Sequence, residues 1–329
     1  MNYKWFVGID ISKKTLDAVL YVKDPTQKSP HIQISNNSIG YKKLVKWLEK
    51  QGVIINSTLF CMEHTGIYGI KLANFLYEKS NCCLESPLHV KRSLGLTRGK
   101  NDKVDALQIA RFCYLYREEL KLYKPNSDSI IALKSLINER ERLIKIRTSD
   151  KIIIKELDSK ENTNCIKRAK ERVITLTKNV DQIEEEIEEI IKKDPSIDAN
   201  YKLVKSVVGI GLVNAVIFIV FTNNFNSITD PRKYACYSGV APFEYSSGTS
   251  IRGKTKVSKL ANRKIKVNLT NGARSAIIND PELRIYYNRK KEEGKEHGTV
   301  MNAVKFKLIN RVFATVKRGT PYVKLRQAG

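Results

Sequence analysis

Four acidic side chains in the first 105 residues stand where a metal-dependent reaction could use them. Asp10 and Glu63 each lie at the end of a predicted strand, and Asp102 and Asp105 lie at the start of a predicted helix. Their spacing of three residues puts the last two on one helix face. Four carboxylates that met at one place would raise one another's pKa values unless a divalent cation neutralised them. The pattern therefore indicates Mg²⁺ or Mn²⁺, in a two-metal site that acts on a phosphodiester.

Each of these residues also has an ordinary interpretation. Asp10 is a good turn former, and Glu63 fits a protein surface. Asp102 fits a helix N-cap, and Asp105 would interact favourably with the helix dipole. Spacing alone leaves the structural and the metal-binding interpretations open.

The elements that must position these residues follow from the hydrophobic pattern. Residues 4–9 and 16–22 predict two strands joined by a polar turn, and residues 53–62 predict a third strand. Helical spacing is present in residues 41–51, 68–78 and 103–116. Strands interspersed with helices indicate an α/β domain with a mixed sheet, which we place at residues 1–125.

A heptad pattern occupies the middle of the chain, which we assign to residues 126–195. Apolar residues recur at alternating spacings of three and four at Val173, Leu176, Val180, Ile183, Ile187 and Ile190. Leu133, Leu136 and Leu143 indicate a partner helix upstream, separated by the polar stretch 158–164. The pattern predicts either a helical hairpin within the chain or an intermolecular coiled coil. In both cases the segment is a spacer or a dimerisation arm.

Charge is distributed unevenly along the 329 residues. The 59 Lys and Arg exceed the 34 Asp and Glu by 25, and residues 196–329 carry +16 of that excess. Residues 245–279 contain eight basic side chains and no acidic one. This favours a nucleic-acid partner, with Arg252, Lys254, Lys256, Lys259, Asn262 and Arg263 as candidate contacts. An anionic membrane is disfavoured, because no basic amphipathic helix with an aromatic face is evident.

The last block opens with the sequence LVKSVVGIGLVNAV. Gly209 and Gly211 precede an apolar, helix-like run, as in the turn of a helix-hairpin-helix. Such a turn presents backbone N–H groups to a DNA phosphate. The same glycines also fit a tight turn with no ligand, so both interpretations stay open.

The longest apolar stretch spans 15 residues, fewer than a membrane-spanning helix needs. The N-terminus has no signal-peptide pattern, so we expect a cytoplasmic, nucleoid-associated protein. The six cysteines are scattered without a C-x-x-C pair, and we expect reduced thiols and no zinc site.

Several segments resemble a known family. VGIDISKKTLDAVL, CMEHTGIYG and NDKVDALQIARF contain the carboxylates in order. They resemble the three acidic motifs of the DEDD transposases of bacterial insertion sequences, the group that includes the Piv DNA invertases. GIGLVNAV and YSGVAPFEYSSGTSIRGKTKVSKLANRK resemble the family's C-terminal transposase motif. The resemblance covers nearly the whole chain.

This resemblance implies an RNase H-type, RuvC-like α/β domain whose tetrad is Asp10, Glu63, Asp102 and Asp105. It also implies a mainly α C-terminal domain, residues 196–329, that contributes a serine nucleophile. The family pattern places this serine before a glycine, which is Ser247 here, with Ser246 beside it. The chain departs from the family at Ala261, where a glycine commonly precedes the equivalent of Asn262.

The implied activity is that of a transposase or site-specific recombinase that cuts and rejoins DNA through a phosphoserine linkage. Some members of the family are directed by an RNA encoded in the element, so a guide RNA is a further expected partner. Recombination of several DNA ends favours a homodimer or a tetramer.

Two other functions remain open at this point. A RuvC-like nuclease or resolvase would use the tetrad alone and form no covalent intermediate. An architectural DNA-binding protein would show no metal-dependent strand cleavage. A sugar kinase is disfavoured, because the Gly-rich phosphate loops that it needs are missing.

Overall fold

The structure is a computed structural model, and it describes residues 3–24, 26–64, 66–95, 101–157, 161–247, 251–258 and 260–323. For residues 244–247, 251, 252 and 254–256 it describes the backbone only. The chain forms two compact units, residues 1–125 and 126–329. Each unit has its own core.

A five-stranded sheet forms the centre of the first unit. Its strands are β1 Trp5–Ile11, β2 Thr15–Leu20, β3 His31–Ser35, β4 Thr58–Glu63 and β5 Asn81–Glu85. The strand order is β3-β2-β1-β4-β5, with antiparallel pairing from β3 to β1 and parallel pairing from β1 to β5. The sheet is therefore mixed, as the sequence predicts. The helices of this unit are α1 Ser38–Lys50, α2 Ile70–Tyr77, α3 Pro87–Leu94 and α4 Asp102–Leu115, with a 3₁₀ turn at Ile55–Ser57.

The alternation of side chains along β1 gives the sheet two different faces. Val7, Ile9 and Ile11 belong to the cluster that includes buried residues of α1 and α2. Phe6 belongs to the cluster on the opposite face, with buried residues of α4. Gly8 and Asp10 follow Phe6 at intervals of two, so they lie on the α4 face.

The close approach of α4 to β1 depends on Gly8. A Cβ atom at Gly8 would lie 2.1 Å from the backbone nitrogen of Ala110 and 2.3 Å from the carbonyl oxygen of Ala106. Only a glycine on the strand allows the helix backbone to come this near. Ala106 and Ala110 belong to the small buried cluster between α4 and β2.

The second unit is mostly helical. Its elements are α5 Asp128–Glu156, α6 Thr163–Lys193, α7 Pro195–Lys205, α8 Leu212–Thr222, α9 Pro231–Tyr237, β6 Pro242–Ser247, β7 Ile251–Val257, α10 Arg263–Asn279, α11 Pro281–Glu292 and α12 His297–Arg318. Strands β6 and β7 form an antiparallel hairpin. The mainly α character of this part of the chain is as predicted.

Helices α5 and α6 pack against each other within the chain. Arg140 of α5 forms an ion pair with Glu184 of α6 at 2.6 Å, and Asp150 of α5 pairs with Arg172 of α6 at 2.5 Å. The contacts run in opposite directions along the two helices, so the helices are antiparallel. Of the two pairings that the heptad pattern allows, the structure shows the intramolecular hairpin. Its apolar residues join the same core as α8.

Helix α8 lies at the centre of this core. Every residue from Asn214 to Val220 is buried, and the ring of Phe218 stacks on Tyr234 of α9 with centroids 4.7 Å apart. The longest apolar run of the sequence is thus core. Within the ranges that the structure describes, no helix is long and apolar enough to cross a membrane.

Candidate active site

A row of four carboxylates crosses the sheet of the first unit on the face toward α4. Asp10 of β1 pairs with Asp17 of β2, and Glu63 of β4 pairs with Glu85 of β5. The parallel register pairs Ile9 with Met62, which brings the next residues, Asp10 and Glu63, side by side. Residues directly opposite each other on neighbouring strands point to the same face. Strand pairing therefore aligns Asp17, Asp10, Glu63 and Glu85.

The first turn of α4 adds Asp102 and Asp105 to this row. Oxygen atoms of Asp10, Asp102 and Asp105 all lie within 4.8 Å of one another. Asn101 is the N-cap of the helix, and its side chain accepts a hydrogen bond from the Lys103 amide at 2.9 Å. Asp102 is therefore not the N-cap. It lies in the first helical turn, with its carboxylate near those of Asp10 and Asp105.

The electrostatic environment shows that these carboxylates interact. Burial raises the pKa of Asp10, and the nearby charges of Asp102, Asp105 and Asp17 raise it further. A hydrogen bond of 3.0 Å from the Ile11 amide acts in the opposite direction. The pKa of Asp10 is nevertheless above its usual value. Ionising all of these groups at once costs free energy, because like charges repel in a partly buried setting.

Glu63 belongs to the same group. Burial raises the pKa of Glu63, and the charges of Asp10 and Asp105 add to this effect, while Lys91 lowers it. Glu63 thus interacts with Asp10 and Asp105, although the described group whose oxygens lie within 4.8 Å of one another comprises only Asp10, Asp102 and Asp105. Clustered carboxylate oxygens are the ligand set that hard divalent cations prefer, and a cation would relieve the repulsion. The residues present fit a divalent metal.

The two outer carboxylates of the row are each paired with a histidine. Asp17 is 7% exposed and lies 2.8 Å from Nε2 of His31, and Gln33 donates to it at 3.1 Å. Glu85 lies 2.9 Å from Nδ1 of His89. Because the outer carboxylates have histidine partners, Asp10 and Glu63 are the carboxylates of the row that remain to act together with Asp102 and Asp105.

Asp17 and Glu85 are not among the site residues predicted from the sequence. Asp17 lies on the same face of β2 as Val19, which is buried against α4. A carboxylate is unusual at such a buried position. Glu85 ends a strand in the same way as Glu63. The acidic residue in the apolar stretch of β2 could have marked Asp17 as a candidate, whereas the place of both residues in the row depends on strand register.

Three cysteines lie below the carboxylates on the same face of the sheet. The sulfur atoms of Cys61, Cys83 and Cys113 lie within 4.8 Å of one another, and all three side chains are fully buried. Burial raises the pKa of the Cys113 thiol well above its usual value. This opposes the thiolate form that a metal would need. The cysteines pack as small apolar side chains between the strands and α4.

The predicted nucleophile lies in the β6–β7 hairpin of the second unit. Ser246 pairs with Arg252, and Ser247 pairs with Ile251. The side chains of Ser247, Arg252, Lys254 and Lys256 are outside the described atoms, and Lys259 is outside the described residues. Ser247 is thus placed at the distal end of β6 by its backbone.

The other predicted nucleic-acid contacts have definite structural roles. Gly209 has φ of 91°, and a Cβ there would lie 2.5 Å from the carbonyl oxygen of Gly272 on α10. Gly211 is the N-cap of α8, with open space around it and no side-chain hydrogen bond that caps the helix. Asn262 caps α10 by accepting from the amides of Lys264 and Ile265.

Gly209 therefore serves the turn and the close packing of α10. The first amides of α8 have no partner within the helix, so a phosphate contact at Gly211 stays a prediction. Arg263, the first residue of α10, is exposed.

Family models match both units of the chain. The DEDD transposase model of the IS110 group matches residues 7–158. This range contains the predicted tetrad of Asp10, Glu63, Asp102 and Asp105. The model of the transposase IS116/IS110/IS902 family matches residues 201–288, which contain Ser247. The chain belongs to the IS110 family of transposases. It is accordingly a DNA transposase or recombinase, and its family implies a dependence on divalent metal.

Relatives of this transposase include two proteins that it matches over nearly their whole length. The pilin gene-inverting protein of Moraxella bovis is 26% identical over 330 residues, which cover 98% of each chain. That of Moraxella lacunata matches to the same extent. The transposase for insertion sequence element IS1533 of Leptospira borgpetersenii is 27% identical over 118 residues, 36% of this chain and 33% of that protein.

Proposed function

We propose that this transposase cuts and rejoins DNA through a Ser247 nucleophile, assisted by divalent cations that Asp10, Glu63, Asp102 and Asp105 bind. The observation that supports it best is the convergence of carboxylates from β1, β4 and α4. Mg²⁺ is the metal that we propose, with Mn²⁺ as its substitute. When bound, the metal supplies charge stabilisation for the attacking and leaving oxygens of a phosphodiester.

The serine step exchanges one phosphodiester bond of DNA for a phosphoserine bond, which is kept for the later joining step. The Ser247 hydroxyl oxygen attacks phosphorus and loses its proton, and the bond from phosphorus to one deoxyribose oxygen breaks. That oxygen takes up a proton and leaves as a hydroxyl. The reverse step, in which a DNA hydroxyl attacks the phosphoserine, restores the serine and joins the new strand. The reaction needs no nucleotide cofactor.

The chain's own residues have two roles in this reaction. The carboxylates hold the metal through oxygens that α4 and the sheet bring together. A serine hydroxyl is a weak nucleophile at its free pKa and needs activation. The basic segment 245–279, which contains Ser247 and no acidic side chain, favours binding of the negatively charged backbone. The proposed contacts are Gly209, Gly211, Arg252, Lys254, Lys256, Lys259, Asn262 and Arg263.

Two further aspects of this function extend the family resemblance. We propose a guide RNA that pairs with donor and target DNA, because a basic surface that holds an A-form backbone needs no sequence-specific protein motif. A homodimer or tetramer would bring several DNA ends together.

A trapping experiment tests the serine assignment. The full-length protein is incubated with a nicked suicide DNA substrate and Mg²⁺, and covalent adducts are resolved by denaturing electrophoresis. We expect an adduct with the wild type and with Ser246→Ala, and none with Ser247→Ala. Binding should be spared in Ser247→Ala, because basic side chains hold the phosphates.

A different pattern of adducts would change the assignment. An adduct that persists in Ser247→Ala and vanishes in Ser246→Ala would move the nucleophile by one residue. Cleavage without any adduct in the wild type would favour the RuvC-like nuclease. That alternative has its own support, since all four carboxylates lie in the first unit.

A further inference from the structure

Lys305 on α12 is a buried cation in the core of the second unit. The residue is 5% exposed. Its ammonium group donates one hydrogen bond within the described structure, to Oδ1 of Asn302 at 3.2 Å. An ammonium group has three N–H donors. A buried charge with so few partners needs a physical explanation.

The groups around Lys305 do not neutralise its charge. Burial, together with the positive charges of Lys266 and Arg274 on α10, lowers its pKa to about 8. Among the residues with described side chains, no carboxylate lies within 4.0 Å of Lys266, Arg274 or Lys305. Lys266 and Arg274 lie on α10, which packs on α12, and their charges act on Lys305.

Other shielded cations of this unit are paired with acids. The side chain of Arg311 is 13% exposed and contacts Asp280 and Glu282, each at 2.6 Å. The side chain of Lys264 is 14% exposed and contacts Glu141 at 2.9 Å. Lys305 is more buried than either of these residues. The unit thus pairs these two shielded cations with carboxylates, whereas the more buried Lys305 has no carboxylate partner among the described side chains.

Lys266 and the hydrogen-bond partner of Lys305 lie near the root of the β6–β7 hairpin. A Cβ at Gly239, three residues before β6, would lie 3.8 Å from Cδ of Lys266. Asn302, the partner of Lys305, lines a groove of about 760 Å³ whose walls include Pro242 of β6 and Val257 of β7. A negatively charged ligand bound here would lie at the base of the hairpin that contains Ser247.

We propose that Lys305, Lys266 and Arg274 form a binding site for a phosphate of the DNA backbone at the root of this hairpin. The inference rests on the proposed function, in which DNA is bound by the second unit. A phosphodiester supplies the missing negative charge and accepts several hydrogen bonds at once. Asn302 orients the Lys305 ammonium group by accepting a hydrogen bond from it. The site holds DNA and takes no part in the chemical step.

The substitution Lys305→Met, made in the full-length protein, tests this site. Methionine keeps the length of the side chain and removes the charge. Binding to a duplex DNA oligonucleotide is measured over a series of salt concentrations, together with thermal melting without DNA. The matched control is Lys317→Met, an exposed lysine on the same helix.

We expect Lys305→Met to bind DNA about tenfold more weakly at low salt, as for loss of one charge-assisted contact. The slope of log K against log salt should fall by about 0.9, the value for one phosphate contact. Melting without DNA should occur at the same temperature or higher, because the variant no longer buries an unpaired charge. Lys317→Met should stay within about twofold of the wild type.

Other results would overturn the proposal. Wild-type affinity and slope in Lys305→Met would show that the lysine does not contact phosphate. A lower melting temperature combined with an unchanged slope would make Lys305 structural, and weaker binding of RNA alone would assign the site to RNA.

A second variant, Lys266→Met, covers the case in which Lys305→Met does not fold. Lys266 is only half-buried, and its loss should reduce the salt slope in the same way; an unchanged slope would contradict the site. The proposed function has a separate test. It fails if no Ser247 adduct forms on DNA that the wild type binds, whatever the result for Lys305.

Discussion

Replacing Gly8 by alanine tests whether the close approach of α4 to β1 holds the carboxylates together. A Cβ at Gly8 would lie 2.1 Å from the Ala110 nitrogen, whereas ordinary contacts begin near 3.4 Å, so helix and strand would separate by about 1.3 Å. Both of the nearest atoms belong to the helix backbone. No change of side-chain rotamer can relieve this overlap.

The displacement would act directly on the metal ligands. Asp102 and Asp105 move with α4, whereas Asp10 moves with β1. Divalent cations hold carboxylate oxygens at about 2.0–2.6 Å, so a separation of this size would remove ligands from one side of the site. We expect Gly8→Ala to lose about 100-fold or more in strand exchange. The overpacking should lower the free energy of unfolding by about 1–3 kcal/mol.

Thermal melting with and without Mg²⁺ or Mn²⁺ separates these two effects. Metal that binds only the folded wild type raises its melting temperature. Gly8→Ala should melt at a lower temperature without metal and should lose the metal-dependent rise. Gly298→Ala on α12 is the control, since its Cβ would meet no atom within 4 Å. A wild-type metal response in Gly8→Ala would refute the argument.

Two further predictions concern the carboxylate row. Asp102→Asn should abolish strand exchange and the metal-dependent rise in melting temperature without destabilising the metal-free protein, because it removes one of several repelling charges; a variant that unfolds would instead show a structural carboxylate. His31→Ala should lower the free energy of unfolding by about 1–3 kcal/mol, because it removes the 2.8 Å partner of the buried Asp17. The corresponding loss for His89→Ala should be below about 1 kcal/mol, since that side chain is 54% exposed. Chemical denaturation at pH 7 measures both losses, and equal values would contradict the difference in burial.

The first unit shows which elements could be predicted from the sequence. The strongly apolar stretches around β1, β2 and β4 and the helical spacing of α1, α2 and α4 identify those elements to within five residues. The largest error is at the start of β4, which was predicted at residue 53, where the chain instead forms a 3₁₀ turn at Ile55–Ser57 before the strand. Strands β3 and β5 were not predicted, because each has only five residues and a mixed, partly exposed pattern. Their pairing at the two edges of the sheet is a tertiary property.

The heptad pattern shows a different limit. It correctly indicates an apolar face on α6, but apolar faces carry no information about whether the partner helix belongs to the same chain. The ion pairs from Arg140 to Glu184 and from Arg172 to Asp150 exist only once α5 folds back along α6. The hairpin within the chain is therefore a property of the tertiary structure, and an intermolecular coiled coil stays a prediction.

The sequence by itself determined the basic character of residues 196–329. Its motifs also identified Asp10, Glu63, Asp102 and Asp105 as a candidate tetrad. The local pattern could not determine that Asp17 and Glu85 extend the row, because this depends on strand register. It also could not determine that Lys305 is buried and that the charges of Lys266 and Arg274 act on it. Burial and charge pairing depend on which elements pack together, and residues separated by 31 or more positions meet only after the chain has folded.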